Sequence, residues 1–290
     1  MTSGRTFGAR LEQAFAAHGQ LCVGIDPHSW LLSDWGLPDS ASGVESFGRT
    51  VVAAAAGRVG IVKPQVAFFE RFGSAGYAAL ERTLADARAA GLLVIADVKR
   101  GDLGTSSEAY AQAWLGAGSS LEADAITVSA YMGVGSLDAA ITLAGETGKG
   151  LFLLAATSNP EAAAIQRAVV ADGPRAGRTV ARAILDDVAE RNAAATTDPI
   201  GSIGVVLGAT LDLAGFGIDL TAAAPAVALT PVLAPGFGHQ GADVTNVNGL
   251  YGGYARGVIV SESRSVLAAG PDRLAEAIAR RATETGAARG

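Results

Sequence analysis

Leu93-Val94-Ile95-Ala96-Asp97-Val98-Lys99-Arg100-Gly101-Asp102, continued by Leu103-Gly104-Thr105-Ser106-Ser107-Glu108, is the stretch on which the reading of the chain turns. It opens as a short apolar run, the mark of a buried strand. It closes on Asp97, Lys99 and Asp102 and then passes into a helix. Thr105, three residues before Glu108, has the spacing of a capping box and marks the helix start. Side chains alternate along a strand, so Asp97 and Lys99 share a face, separated by roughly 6.5 Å of rise, and Asp102 falls beyond the strand end on the loop. A salt bridge closing a strand, with Asp102 solvated, would account for these charges. Their place at the carboxyl end of a buried strand points instead to a functional site, because α/β proteins keep their chemistry there.

Outward from this stretch the pattern repeats. Apolar runs at 21–26, 59–65, 93–100, 123–129, 150–157, 201–209, 229–234 and 257–261 read as strands. Helical patterns lie between them. At the amino terminus, from Thr6 to His18, Phe7, Leu11 and Phe15 recur every four residues. Ser74 is placed to cap a helix carrying Leu80 and Leu84 that Gly91 ends, a helix runs from Ser136 through Ile141, and Pro271 opens the last one. The longest connection, 161–199, holds a turn at Asp172-Gly173-Pro174 and a helix with Val180, Ile184 and Val188 on one face. Eight strands alternating with helices predict a single-domain α/β fold, the (β/α)8 TIM barrel, over 1–290. A doubly wound sheet is the alternative, but no G-x-G-x-x-G follows the first strand.

Composition narrows the class. Of the 290 residues 49% are hydrophobic and 17% charged, which suits a compact, soluble protein. No apolar run is long enough to span a membrane, and the amino terminus has no signal-peptide pattern. A single cysteine, Cys22, excludes an internal disulfide and fits a reducing cytoplasm. With three histidines and one cysteine a zinc site is not expected, and the net charge of −6 argues against a general nucleic-acid binder. An anionic ligand would have to be drawn in by local positive charge.

Closing a barrel would bring Asp26, Lys63, Asp97, Lys99, Ser158, Gln240 and Arg264 around one mouth. The loops after the last two strands of such barrels often hold phosphate. Here one is the glycine-rich run Pro235-Gly236-Phe237-Gly238-His239-Gln240-Gly241, and the other offers Arg264. Histidine chemistry is disfavoured, since His18 falls in a helix, His28 in a surface loop, and His239 suits a loop-positioning role. Proton transfer falls to carboxylates and lysines. A lysine between two carboxylates stays protonated, which suits Lys99 as a general acid.

Asp97-Val98-Lys99-Arg100-Gly101-Asp102 resembles the D-x-K-x-x-D signature of the orotidine 5'-phosphate decarboxylase family. Val62-Lys63-Pro64-Gln65 with Ala67-Phe68-Phe69-Glu70, and Thr157-Ser158-Asn159-Pro160, are similar to that family's longer bacterial branch. The likeness covers nearly the whole chain. Leu103 stands where isoleucine or valine is usual, and Ser106 where threonine is usual. The resemblance implies decarboxylation of orotidine 5'-phosphate without metal or organic cofactor. It implies an alternating network of Lys63, Asp97, Lys99 and Asp102. It implies ribose contacts from Asp26 and Ser106, contacts to the pyrimidine and adjoining groups from Ser158 and Gln240, and a phosphate contact from Arg264. It also implies a homodimer in which Asp102 and Ser106 enter the partner's mouth. Two rivals stand beside it: a metal-dependent sugar-phosphate decarboxylase or aldolase of the same barrel group, and a non-catalytic barrel that binds a phosphate ligand.

Overall fold

Each apolar run forms a strand. The computed structural model describes residues 4–287 apart from 222 and 224. The strands are β1 Leu21–Ile25, β2 Ile61–Pro64, β3 Leu93–Arg100, β4 Ala125–Val128, β5 Gly150–Ala156, β6 Ile203–Leu207, β7 Val232–Pro235 and β8 Val258–Glu262. Each lies parallel to its neighbours in chain order, and β8 returns to β1 with Leu21 opposite Val260 and Cys22 opposite Ser261. The sheet is therefore closed, as the strand count predicts, and it has no free edge.

Strand alternation stacks the barrel interior in layers. The lower layer is apolar: Cys22, Ile61, Ile95, Ala125, Phe152, Leu233 and Ile259 are buried together. Two residues further along their strands, Lys63, Asp97, Thr127 and Leu154 line the mouth, with Ser261 of β8. The polar layer thus sits directly on the apolar one. Gly204 of β6 makes room for Phe152: a Cβ there would lie 2.5 Å from the phenyl ring.

Helix α1, Phe7–His18, closes the base. Thr6 caps it, accepting from the Ala9 N–H at 3.1 Å, and the four-residue spacing turns Phe7, Leu11 and Phe15 into the barrel. Phe7 meets Phe152 edge to face with centroids 5.9 Å apart. Arg10 pairs with Asp124, whose other oxygen accepts from the Val94 N–H at 2.9 Å, and so ties α1 to β3 and β4. The outer helices cover the barrel through a second, larger apolar layer.

Two expected caps are absent. The helix after β3 spans Gly104–Leu115, so Thr105 lies inside it, where a side chain cannot cap; the cap position falls to Leu103, which has no oxygen to offer. Asp102 Oδ1 instead accepts from the Leu103 N–H at 2.9 Å. Ser74 is likewise inside its helix, Gly73–Ala89, whose cap position is Phe72, close behind the short Ala67–Glu70 helix. Before the fifth strand a 3-10 turn, Val134–Leu137, precedes the helix Asp138–Thr147. In the long connection Val169 bridges to Thr179 around Gly173, and Thr179 caps the helix Val180–Ala195.

Candidate active site

The mouth at the carboxyl ends of the strands encloses a cavity of about 280 Å³. A larger cleft, about 920 Å³, lies under α1 at the other end, where Arg10 pairs with Asp124, and Lys149 with Glu122 at 2.8 Å. Both side chains with a buried polar atom left unpartnered among the described residues, Asp26 and Ser263, are at the mouth.

Asp97 is its centre. The carboxylate is buried and accepts at both oxygens twice over. Oδ2 takes Lys63 Nζ at 3.1 Å and Gln65 Nε2 at 2.8 Å, and Oδ1 takes Lys99 Nζ at 2.7 Å and Thr127 Oγ1 at 2.8 Å. Burial works against charge on Asp97, but Lys63 and Lys99 outweigh it and hold its pKa well below that of a free carboxylate. Burial likewise opposes charge on Lys63, and Asp97 and Asp26 overcome it, leaving that lysine more basic than usual. The cluster is an ionised carboxylate between two ammonium groups.

Lys99 reaches this position through a backbone irregularity. Its φ is +48°, a conformation disfavoured for a lysine, and the pairing of β3 with β4 shifts register between Ala96 and Arg100. Its N–H donates to Thr127 Oγ1 at 3.0 Å, and the same hydroxyl donates to Asp97. Thr127 therefore holds the lysine backbone and the carboxylate together. Simple alternation predicts the shared face but not this bulge. The side chain of Lys99 remains 47% exposed, against 9% for Lys63, so Lys99 is the ammonium that faces an incoming molecule.

Around the rim the expected residues converge. Asp26, Ser158, Gln240 and Arg264 all line the cavity. Asp26 Oδ1 and Ser263 Oγ are buried there without a hydrogen-bond partner among the described residues. Arg264 makes no ion pair among the described residues, which leaves its guanidinium available to an anion. Ser158 sits on a loop fixed by Gln166, whose amide accepts from the Thr157 N–H at 2.9 Å and donates to the Thr157 hydroxyl at 3.0 Å. His239 lines the cavity as well. Cys22 is buried in β1, and desolvation pushes its thiol up to about 12, in keeping with a small core residue.

Asp102 and Ser106 do not reach this cavity. Asp102 is turned to its own loop, and Ser106 is exposed on the following helix. Within one chain Lys99 therefore has one carboxylate beside it, not two, because Asp102 lies past the strand end. Gln65 and Thr127 are site residues that sequence reasoning passed over. Thr127 follows the inward Ala125 by one strand period, which is the signal that could have found it. The site as a whole is that of a (β/α)8-barrel enzyme for a small anionic substrate.

The chain belongs to the Orotidine 5'-phosphate decarboxylase / HUMPS family, whose model matches residues 19–278. It is 50% identical to an orotidine 5'-phosphate decarboxylase of Salinispora tropica over 270 residues, covering 93% of this chain and 92% of that one. It is 49% identical over 267 residues to the protein of that name from Streptomyces coelicolor, covering 92% and 91%. A Streptomyces avermitilis crystal structure provisionally assigned to the same enzyme superposes with a TM-score of 0.90 at 48% identity, over 100% of this chain and 98% of that one.

Proposed function

We propose that the chain decarboxylates orotidine 5'-phosphate to uridine 5'-monophosphate and CO2, a step of pyrimidine synthesis carried out in the cytoplasm. The observation that carries this reading is the ionised Asp97 held between Lys63 and Lys99. A carboxylate that cannot be discharged by protonation repels a substrate carboxylate placed against it. At about 4 Å and an effective dielectric near 20 that repulsion is roughly 4 kcal/mol, and it vanishes as CO2 leaves. The C6–carboxyl bond breaks, its electron pair stays on C6, and Lys99 Nζ gives a proton to that carbon. Lys99 then regains a proton from water.

Asp26 contacts the ribose, Ser158 and Gln240 the pyrimidine, and Arg264 the phosphate. Binding energy from the phosphate, far from the reacting carbon, offsets the strain at C6. Asp102 and Ser106 complete the mouth of a partner in a homodimer. Exposed Leu103, Tyr131 and Met132 beside this loop support that role, since Gly101 packs against Ser129 and brings the two segments together. All four acceptor positions of Asp97 are filled by protein donors, which leaves it without a free face for a metal and favours this reading over the metal-dependent rival.

The test is turnover of orotidine 5'-phosphate, followed by its ultraviolet absorbance, in the presence of EDTA. Metal-independent loss of the orotate chromophore is the expected result. Binding without turnover would return the protein to the class of phosphate-ligand barrels, and turnover abolished by EDTA would favour the metal-dependent rival.

A further inference from the structure

Glu262 ends β8 two residues before Arg264, and its side chain is fully buried. A buried carboxylate at a barrel rim is costly unless its oxygens are engaged. Both are. Oε1 accepts from Arg281 Nε at 2.6 Å, and Oε2 accepts from Ser265 Oγ at 2.6 Å. Arg281 comes from the last helix, Leu274–Ala287, and also pairs with Glu284 at 2.7 Å.

The glycine-rich loop after β7 packs on the same point. Gly238, with φ +67°, lies so close that an added Cβ would fall 2.7 Å from Ser265 Cβ and 3.0 Å from Glu262 Oε2. Three segments therefore meet at this carboxylate: the loop holding Gly236 and Gln240, the turn holding Ser263 and Arg264, and the terminal helix. Glu262 itself does not line the cavity, so it touches no ligand there. Its negative charge, a few residues from an anion site, would oppose phosphate if Arg281 did not neutralise it.

We infer that Glu262 is a positioning residue for phosphate recognition, pinning Ser265 and with it the two loops that face the substrate's phosphate. This rests on the reading of Arg264 as the phosphate ligand. The experiment compares kcat and KM for orotidine 5'-phosphate and for orotidine, which lacks the phosphate, in the wild type, Ser265→Ala, Glu262→Gln and Arg264→Ala. Ser265→Ala keeps the buried ion pair and should fold normally. It is expected to raise KM for the phosphorylated substrate by roughly three- to tenfold while leaving kcat/KM for orotidine within about twofold. Glu262→Gln should show the same selectivity.

Equal losses on both substrates would mean a merely structural role and overturn the inference, as would no change on either. Arg264→Ala should abolish the preference for the phosphorylated substrate. If it does not, or if the wild type has no such preference, the phosphate assignment itself fails and takes this inference with it.

Discussion

Lys99 combines three properties seldom found in one lysine: a left-handed backbone, an ion pair to a buried carboxylate and a half-exposed ammonium. The last two suit a proton donor, and the first aims it. Lys99→Ala should therefore lose nearly all turnover while thermal unfolding and circular dichroism stay close to wild type. Retention of more than about a tenth of kcat would remove its role as the acid. Asp97 makes a separate prediction in acid. Its folded pKa lies below the ordinary 3.8, so its contribution to stability is present above that value and is lost as pH falls through the folded one. Lys63, shifted upward from 10.5, contributes below that value and loses its contribution only as pH rises past the folded one. The cluster should thus be neutral in its effect on stability across mid-range pH. Denaturant titrations between about pH 5 and pH 2 should show a shallower decline in Asp97→Asn than in wild type. Equal slopes would mean that Asp97 is not held ionised.

At the scale of elements, alternation and apolar runs carried most of the information. Eight strands, the amphipathic first helix and most of the polar residues at the strand ends could be read in advance, because burial of one face leaves a period in the sequence. Caps were less legible. Thr105 and Ser74 have the right residue type, but neighbouring backbone decides where a helix begins, and each helix starts two residues earlier than its expected cap allows, at Gly104 and Gly73. Gln65 and Thr127 were missed because an amide or a hydroxyl at a strand end is ordinary until Asp97 is placed beside it. The base plug makes a clean test of division of labour. Phe7 is fully buried against Phe152, and nothing in α1 touches the mouth. Phe7→Ala should cost about 3–5 kcal/mol of stability with kcat and KM unchanged at temperatures where the protein stays folded. A large change in kcat would show that the base and the mouth communicate.

For the whole molecule, the position of Asp102 has the widest consequence. If it serves a partner's mouth, Lys99→Ala and Asp102→Ala chains should complement one another after subunit exchange. Half of the dimers would be hybrids, each with one intact site, so activity should recover to roughly a quarter of wild type. No recovery despite demonstrated exchange would return Asp102 to its own chain. The sole cysteine offers a different kind of readout. Cys22 sits in the innermost apolar layer, under the polar mouth and over the aromatic plug, and its thiol is held up to about 12 by desolvation. No solvent path reaches it while the strands remain closed. A thiol-specific reagent should therefore modify the native protein only through opened forms, at a rate set by how often the barrel opens once the reagent is concentrated enough for labelling to outpace reclosing. Labelling would act as a built-in clock of global opening, slowed by any ligand that binds the closed form and quickened by Phe7→Ala.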